Sequence, residues 1–210
     1  MIELNRLKCF NTMDKNKLTK ADKGLLEIKN QVIACQNCPL YKTRTLPVIG
    51  QGSHSAGIMF VGEAPGKNED LQGRPFCGRS GEVLSELLEA IGLKREDVYI
   101  CNILKCRPPD NRNPLPNEIS SCVSYLDKQI ELINPKIICT LGNFATRYIL
   151  EKFGFTDKVQ GISKIRGQVF EVKQWKIVPL YHPAVAVYDA NQKETLIEDF
   201  KIIKKVLDKK

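Results

Sequence analysis

Two hydrophobic periods alternate along this chain. Leu84, Leu87, Leu88 and Ile91 fall at i, i+3, i+4 and i+7, the stripe of an amphipathic helix, and Gly92 follows as a C-terminal stop. Upstream, Ile58, Met59, Phe60 and Val61 form an unbroken apolar run closed by Gly62, which suits a strand buried on both faces. This unit of strand, loop and helix repeats. Residues 98–104 read as a strand, followed by a Pro-rich loop and a helix with Ile119, Val123, Leu126 and Ile130 inward. Residues 137–141 read as a third strand, followed by a helix running from Phe144 to about Leu150. Residues 169–172 and 177–181 read as further strands, and Leu196, Phe200, Ile203 and Leu207 mark a closing helix. Before all of these, Leu25, Ile28, Val32 and Ile33 predict a helix that stops before Cys35.

Such alternation predicts an α/β fold with a parallel sheet flanked by helices. Ligands of these sheets sit outside the carboxyl ends of the strands, so the loops after Val61, Leu104, Leu141 and Tyr181 are expected to converge on one site. The expected organisation is a flexible basic arm over residues 1–16 and a single α/β domain over 17–210.

Composition narrows the class. With 210 residues the chain can bury roughly 70% of its unfolded surface, so it needs no staples to hold a core. It has no repeat period or low-complexity tract, which excludes collagen, coiled coil and bulk disorder. No segment approaches the roughly 20 apolar residues of a membrane span, and residues 1–15 contain no apolar run like that of a signal peptide. A soluble, intracellular protein without a membrane partner is expected. In a reducing compartment its 8 Cys read as free thiols, and some as metal ligands.

The net charge of +8 lies mostly at the ends: residues 1–30 carry +3 and residues 201–210 carry +4. Terminal charge of this kind describes a solvated tail as well as a DNA-binding arm. Local clusters are more informative. Lys105, Arg107 and Arg112 form one, and Lys158, Lys164, Arg166, Lys173 and Lys176 form another.

The first loop begins Gly62-Glu63-Ala64-Pro65-Gly66-Lys67 and continues through Glu69 to Gly73-Arg74-Pro75-Phe76. A phosphate-binding loop needs four residues between its glycines and Ser or Thr after the Lys; here three intervene and Asn68 follows, so that reading fails. What remains is a glycine-rich loop carrying carboxylates and one Phe, able to hold a planar ligand or an anion, or else an ordinary acidic turn. The second loop places Asn102 at a strand end before Lys105-Cys106-Arg107-Pro108-Pro109. An amide carries both a donor and an acceptor, which reading one edge of a nucleobase requires, although Asn is also a common turn former. In the fourth loop, His182-Pro183-Ala184 puts one of two His at a strand terminus, where a catalytic and a structural role are both open. His54, before the first strand, falls at the opposite edge and reads as structural.

Cys101 and Cys139 lie within apolar strands and read as core. Cys35 and Cys38 form a C-x2-C at a helix end, and Cys106 and Cys122 lie sixteen positions apart on later elements. Four thiolates from separate elements make a tetrahedral site, and their spacing leaves zinc and iron–sulfur both open.

Taken together, Gly62-Glu63-Ala64-Pro65-Gly66, Gly73-Arg74-Pro75-Phe76, Asn102 with Lys105-Cys106-Arg107-Pro108-Pro109, and His182-Pro183-Ala184 resemble the iron–sulfur uracil-DNA glycosylases, called family four. The similarity runs from Cys35 to about Tyr188. It implies a central four-stranded parallel sheet and a [4Fe-4S] cluster held by Cys35, Cys38, Cys106 and Cys122. It also implies an enzyme that flips uracil out of DNA and hydrolyses its N-glycosidic bond, leaving an abasic site. On this reading Glu63 and His182 are catalytic: Glu63 serves the attacking water, and His182 stabilises negative charge at the base O2. Phe76 stacks on the uracil, Asn102 reads N3–H and O4, and Glu69 sits near C5 to reject the thymine methyl. Ala64, where many relatives carry Gly, lies in the loop against the base. Lys105, Arg107, Lys164 and Arg166 are expected to grip phosphates, and the segment containing Val185 and Val187 to wedge into the duplex. The expected partner is single- or double-stranded uracil-containing DNA, bound by a monomer, with a sliding clamp left open. Two other readings stand beside this one: a non-catalytic nucleic-acid-binding protein tied together by a four-cysteine metal site, and a sibling glycosylase that accepts other deaminated bases.

Overall fold

The computed structural model describes residues 18–208, so the expected arm over residues 1–16 lies outside the described residues. The helix α1 covers Lys20–Ala34 and opens on a capping box, with the Thr19 side chain accepting from the Asp22 amide and the Asp22 carboxylate accepting from the Thr19 amide. Six strands follow in one sheet: β1 Gln51–Gly52, β2 Ile58–Gly62, β3 Tyr99–Asn102, β4 Ile137–Leu141, β5 Phe170–Val172 and β6 Trp175–Leu180. Their spatial order is β1-β3-β2-β4-β6-β5. β3, β2, β4 and β6 are mutually parallel, while β1 and β5 add antiparallel edges. The expected four-stranded parallel core is therefore present, widened by two edge strands.

Among the described residues seven further α-helices follow: α2 Lys67–Gln72, α3 Arg79–Ala90, α4 Pro116–Ile133, α5 Asn143–Lys152, α6 Ile162–Ile165, α7 Ala184–Tyr188 and α8 Gln192–Asp208. Alternate strand residues feed two apolar layers. Met59, Val61, Cys101 and Ile138 join the layer under α1, α4 and α5, while Ile58, Phe60, Ile100 and Cys139 join the layer under α3 and α8. Cys101 and Cys139 are core residues, as their apolar context predicts. No helix among the described residues is long and apolar enough to cross a membrane.

Helical faces account for the main departures from the sequence reading. The buried side of α4 carries Cys122, Tyr125, Leu126, Gln129 and Ile130, whereas Ile119 and Val123 lie at its margin. Polar and thiol positions disguised this face: Cys122 and Tyr125 line the cysteine cavity, and Gln129 meets Lys105 Nζ and the Tyr99 hydroxyl. In α1, Ile33 is exposed, and in α8 the buried position is Val206, with Leu207 turned outward. Within the first loop, α2 forms a short helix that buries Asp70, whose carboxylate accepts from the Thr45 amide at 2.9 Å.

In the parallel core β2 connects to β3 on one side, and the chain then crosses to β4 on the other. The topological switch point therefore lies between β2 and β4, at their carboxyl ends.

Candidate active site

At this switch point the ends of β2 and β3 are in register, Gly62 opposite Asn102. Beyond the strands the ladder continues, with the Ile103 amide donating to the Gly62 carbonyl and the Leu104 amide to the Glu63 carbonyl, both at 3.0 Å. These bonds hold the first and second loops together and bring Glu63 alongside Asn102.

Asn102 is only 2% exposed, yet its Oδ1 has no hydrogen-bond partner among the described residues. A buried acceptor left alone costs on the order of 1–3 kcal/mol, so it marks a place where a donor from outside is expected. A Cβ on Gly62 would stand 2.3 Å from this oxygen and 2.8 Å from Phe76 Cζ. The missing side chain lets both groups pack directly against the Gly62 backbone.

Phe76 is buried and holds a left-handed backbone at φ 48°, an uncommon strain for an aromatic residue. Glu69 keeps that turn in place, its Oε1 accepting from the Cys77 and Gly78 amides at 2.9 Å each. From the other side the Arg95 guanidinium donates to the Pro75 carbonyl at 2.9 Å. The Phe76 ring lies against the imidazole of His182, centroids 5.5 Å apart and 29° between planes.

The His182 Nδ1 accepts from the Ala184 amide at 3.1 Å, which leaves Nε2 as the protonated, donating nitrogen of the neutral ring. Burial pushes the imidazole down to about 4, with the Glu69 charge opposing the shift. Glu63 is half-buried, with no hydrogen-bond or ion-pair partner for its carboxyl among the described residues, and burial raises its pKa. A carboxylate biased toward taking up a proton suits a general base. Ala64 is half-buried beside it and packs on the layer beneath α1 and α4. The structure brings Glu69, Phe76, Asn102 and His182 together around Gly62, with Glu63 and Ala64 next along the same loop and Arg95 as a support that periodicity does not reveal. His54 is elsewhere, its Nδ1 2.6 Å from Asp22 Oδ1 at the start of α1.

A second cluster adjoins the first. Cys35 at the end of α1, Cys38, Cys106 and Cys122 line one cavity, closed by Val32, Tyr41, Arg44, Lys105 and Tyr125. Burial raises the Cys38 and Cys106 thiols and pushes Cys122 up to about 11. Two donors already point at sulfur: Arg44 Nη1 at 3.1 Å from Cys106 Sγ, and the Lys105 amide at 3.3 Å from Cys122 Sγ. No three His, Cys, Asp or Glu side chains among the described residues are gathered around one ion-sized point. The donor set itself fits a sulfur-ligated group. It offers four soft ligands on one cavity, with hydrogen bonds to the sulfurs of the kind that tune such centres.

The basic residues divide. Lys105 is 1% exposed, and its Nζ donates to the Asn102 carbonyl and to Gln129 Oε1, each at 2.7 Å. This corrects the expectation that it grips phosphate, because a side chain sealed between β3 and α4 cannot reach DNA. Arg107 is half-buried, with Nε on Asn111 Oδ1 at 2.7 Å, and Lys164 is exposed. Arg166 is engaged by Asp199 and lies over the Tyr181 ring at 5.2 Å, Lys176 pairs with Glu171, and Arg112 forms a fork with Glu118. Most of the second basic cluster is thus internally paired. Val185 and Val187 lie on α7, half-buried, while Tyr188 at its end is 90% exposed.

A profile of the family described as "Uracil DNA glycosylase superfamily" matches residues 49–202 of the chain. The chain is 45% identical over 191 residues to the "Type-4 uracil-DNA glycosylase" of Archaeoglobus fulgidus, covering 89% of this chain and 95% of that protein. It is 48% identical to the protein of the same name from Sulfurisphaera tokodaii, covering 87% of this chain and 84% of that one. Against the Thermotoga maritima protein of that name the identity is 41%, over 88% of this chain and 96% of the other.

Proposed function

The chain belongs to the uracil-DNA glycosylase superfamily, and from that premise we propose how its site excises uracil from DNA. The activity is hydrolysis of the N-glycosidic bond, which requires the nucleotide to leave the base stack first. The observation that carries the assignment of roles is the buried, unpartnered Oδ1 of Asn102, packed against Gly62 beside the Phe76 ring. That oxygen accepts from uracil N3–H while the amide nitrogen donates to O4, a pairing that cytosine, with its exocyclic donor, does not satisfy. Phe76 offers its ring face to the base.

As the bond breaks, negative charge collects on the uracil ring and positive character on the sugar. His182, neutral and donating through Nε2, stabilises that charge at O2. A neutral donor in this position keeps its own proton while sharing it, so the base leaves as an anion. Glu63 orients the attacking water and takes its proton, helped by a pKa raised by burial. Glu69 holds the Phe76 turn through the Cys77 and Gly78 amides and presents bulk where a thymine methyl would enter.

Cys35, Cys38, Cys106 and Cys122 would hold a [4Fe-4S] cluster, which would serve to lock α1, the loop after β3 and α4 together. Arg107 and Lys164 bind phosphates, and α7 with Val185, Val187 and the exposed Tyr188 enters the gap left by the flipped nucleotide. The protein acts as a monomer.

Incubation with an oligonucleotide carrying one uracil, followed by hot alkali, tests the reading. Strand scission at the uracil and none at thymine in the same position is expected. An intact strand with the metal-loaded protein overturns it, and release of hypoxanthine or xanthine faster than uracil transfers the assignment to a broader deaminated-base glycosylase.

A further inference from the structure

Lys105 is buried between the two sites and belongs to neither by its charge. Its ammonium donates to two neutral acceptors, the Asn102 carbonyl and Gln129 Oε1, each at 2.7 Å. The Gln129 amide passes the network on to the Ile49 carbonyl and the Tyr99 hydroxyl, each at 3.0 Å. None of the ion pairs among the described residues involves Lys105. A buried ammonium without a counterion is costly, and neutral acceptors offset only part of that cost. The groups nearby that can carry negative charge are sulfurs: the buried Cys101 of β3 lies closest in effect, Cys106 is the next residue, Cys122 accepts from the Lys105 amide, and Lys105 itself lines the four-cysteine cavity. Four thiolates around an iron–sulfur core leave a net negative charge at that wall.

The same ammonium is a mechanical tie. Gln129 and Cys122 stand seven residues apart on the buried face of α4, and Asn102 ends β3. One side chain therefore fastens the strand end that carries the base-reading amide to the helix that carries a sulfur ligand.

We propose that Lys105 is a positioning residue that couples the four-cysteine centre to base recognition, as the internal countercharge of the sulfurs and the prop of the Asn102 backbone. This rests on the uracil-excision reading of the adjoining site. It adds that the metal centre and the base pocket share one buried cation, so that disturbing either is felt at the other.

The test compares full-length, metal-loaded protein with Lys105→Met, Lys105→Gln, and the charge swap of Lys105→Gln with Gln129→Lys. Four quantities are followed: iron release to a chelator, the midpoint potential of the centre, the single-turnover rate of uracil excision at saturating DNA, and the DNA Kd. For Lys105→Met, iron release is expected to quicken roughly tenfold or more, the scale of losses when an outer partner of a metal site is removed. The potential moves to more negative values, since loss of a nearby positive charge disfavours reduction. The single-turnover rate falls roughly tenfold with Kd unchanged, the scale of one charge-assisted hydrogen bond. Lys105→Gln keeps a donor for the Asn102 carbonyl and is expected to recover the rate but not the potential. The charge swap is expected to recover both. Should Lys105→Met fail to fold, Lys105→Gln and the swap carry the same comparison. Unchanged iron retention and potential in Lys105→Gln, or rate and affinity lost together in the folded variants, overturn the proposal. A parent protein that holds iron but releases no uracil defeats only the functional reading, and the iron and potential measurements still decide the role of Lys105 as countercharge.

Discussion

Gly62 and Asn102 face each other in register at the ends of β2 and β3, and the Cβ that Gly62 lacks would lie 2.3 Å from Asn102 Oδ1. The close approach of the amide and of the Phe76 ring to the end of β2 therefore depends on an absent side chain. Gly62→Ala is expected to keep DNA binding while slowing excision at least roughly tenfold, since one misplaced methyl in a packed site costs about 1–3 kcal/mol. Single-turnover kinetics at saturating DNA measure it, and a parental rate would mean that the base does not enter beside Gly62.

Asn102→Asp replaces the donor to O4 with a second acceptor. Excision of uracil should fall at least tenfold, given about 1–3 kcal/mol for a good polar contact to a base edge. Cytosine, whose exocyclic amine can donate to the new carboxylate, becomes the substrate to assay beside it. Unchanged uracil kinetics in Asn102→Ala would place base reading elsewhere.

Glu63→Gln removes the proton acceptor with little change in shape. The rate should drop on the order of 100-fold with affinity for uracil-containing DNA preserved, as general-base catalysis typically contributes at least that much. In the parent protein the rate should also fall as pH drops through the Glu63 pKa, and that limb should lie above the usual carboxylate range because burial raises it. A pH profile of the parent beside Glu63→Gln separates the two effects; an acid limb at the ordinary value argues against Glu63 as the base.

His182 has its folded pKa depressed to about 4 from an ordinary 6.5, chiefly by burial. Between those values the unfolded chain takes up a proton that the native state refuses, so stability from this group is present above 6.5 and declines as pH falls toward 4. Urea unfolding between these limits should show a shallower loss toward acid in His182→Gln than in the parent. The same variant should lose on the order of 100-fold in single-turnover rate with binding retained. Equal pH slopes in the two proteins would show that His182 is not held neutral.

Purified protein should be brown and contain iron and acid-labile sulfide, with Cys122→Ser losing both colour and thermal stability. One zinc and no iron after anaerobic purification would reassign the centre. Chelation of the metal should destabilise the fold before it touches any catalytic group, because Cys35, Cys106 and Cys122 join α1, the loop after β3 and α4.

The unbroken apolar run at Ile58, Met59, Phe60 and Val61 announced a doubly buried strand, and the stripe of Leu84, Leu87 and Leu88 announced α3, because burial on a repeating backbone leaves a repeating pattern. From that alternation alone, the convergence of Glu63, Asn102 and His182 followed, since parallel strands deliver their carboxyl-end loops to one edge. The C-x2-C of Cys35 and Cys38 with Cys106 and Cys122 stood out by its spacing, and the fold lines one cavity with all four. Tertiary structure decided what carries no period. Lys105 reads in sequence as a surface cation beside Arg107, yet the fold seals it against Gln129, a polar residue that helix periodicity assigns to solvent. Whether Arg166 faces DNA or Asp199, and whether Gly62 is a simple turn or the seat of Asn102 and Phe76, depend on residues distant in the chain. Local pattern encodes which surfaces are buried. Only packing determines which buried polar atom finds a partner and which, like Asn102 Oδ1, is left to await one.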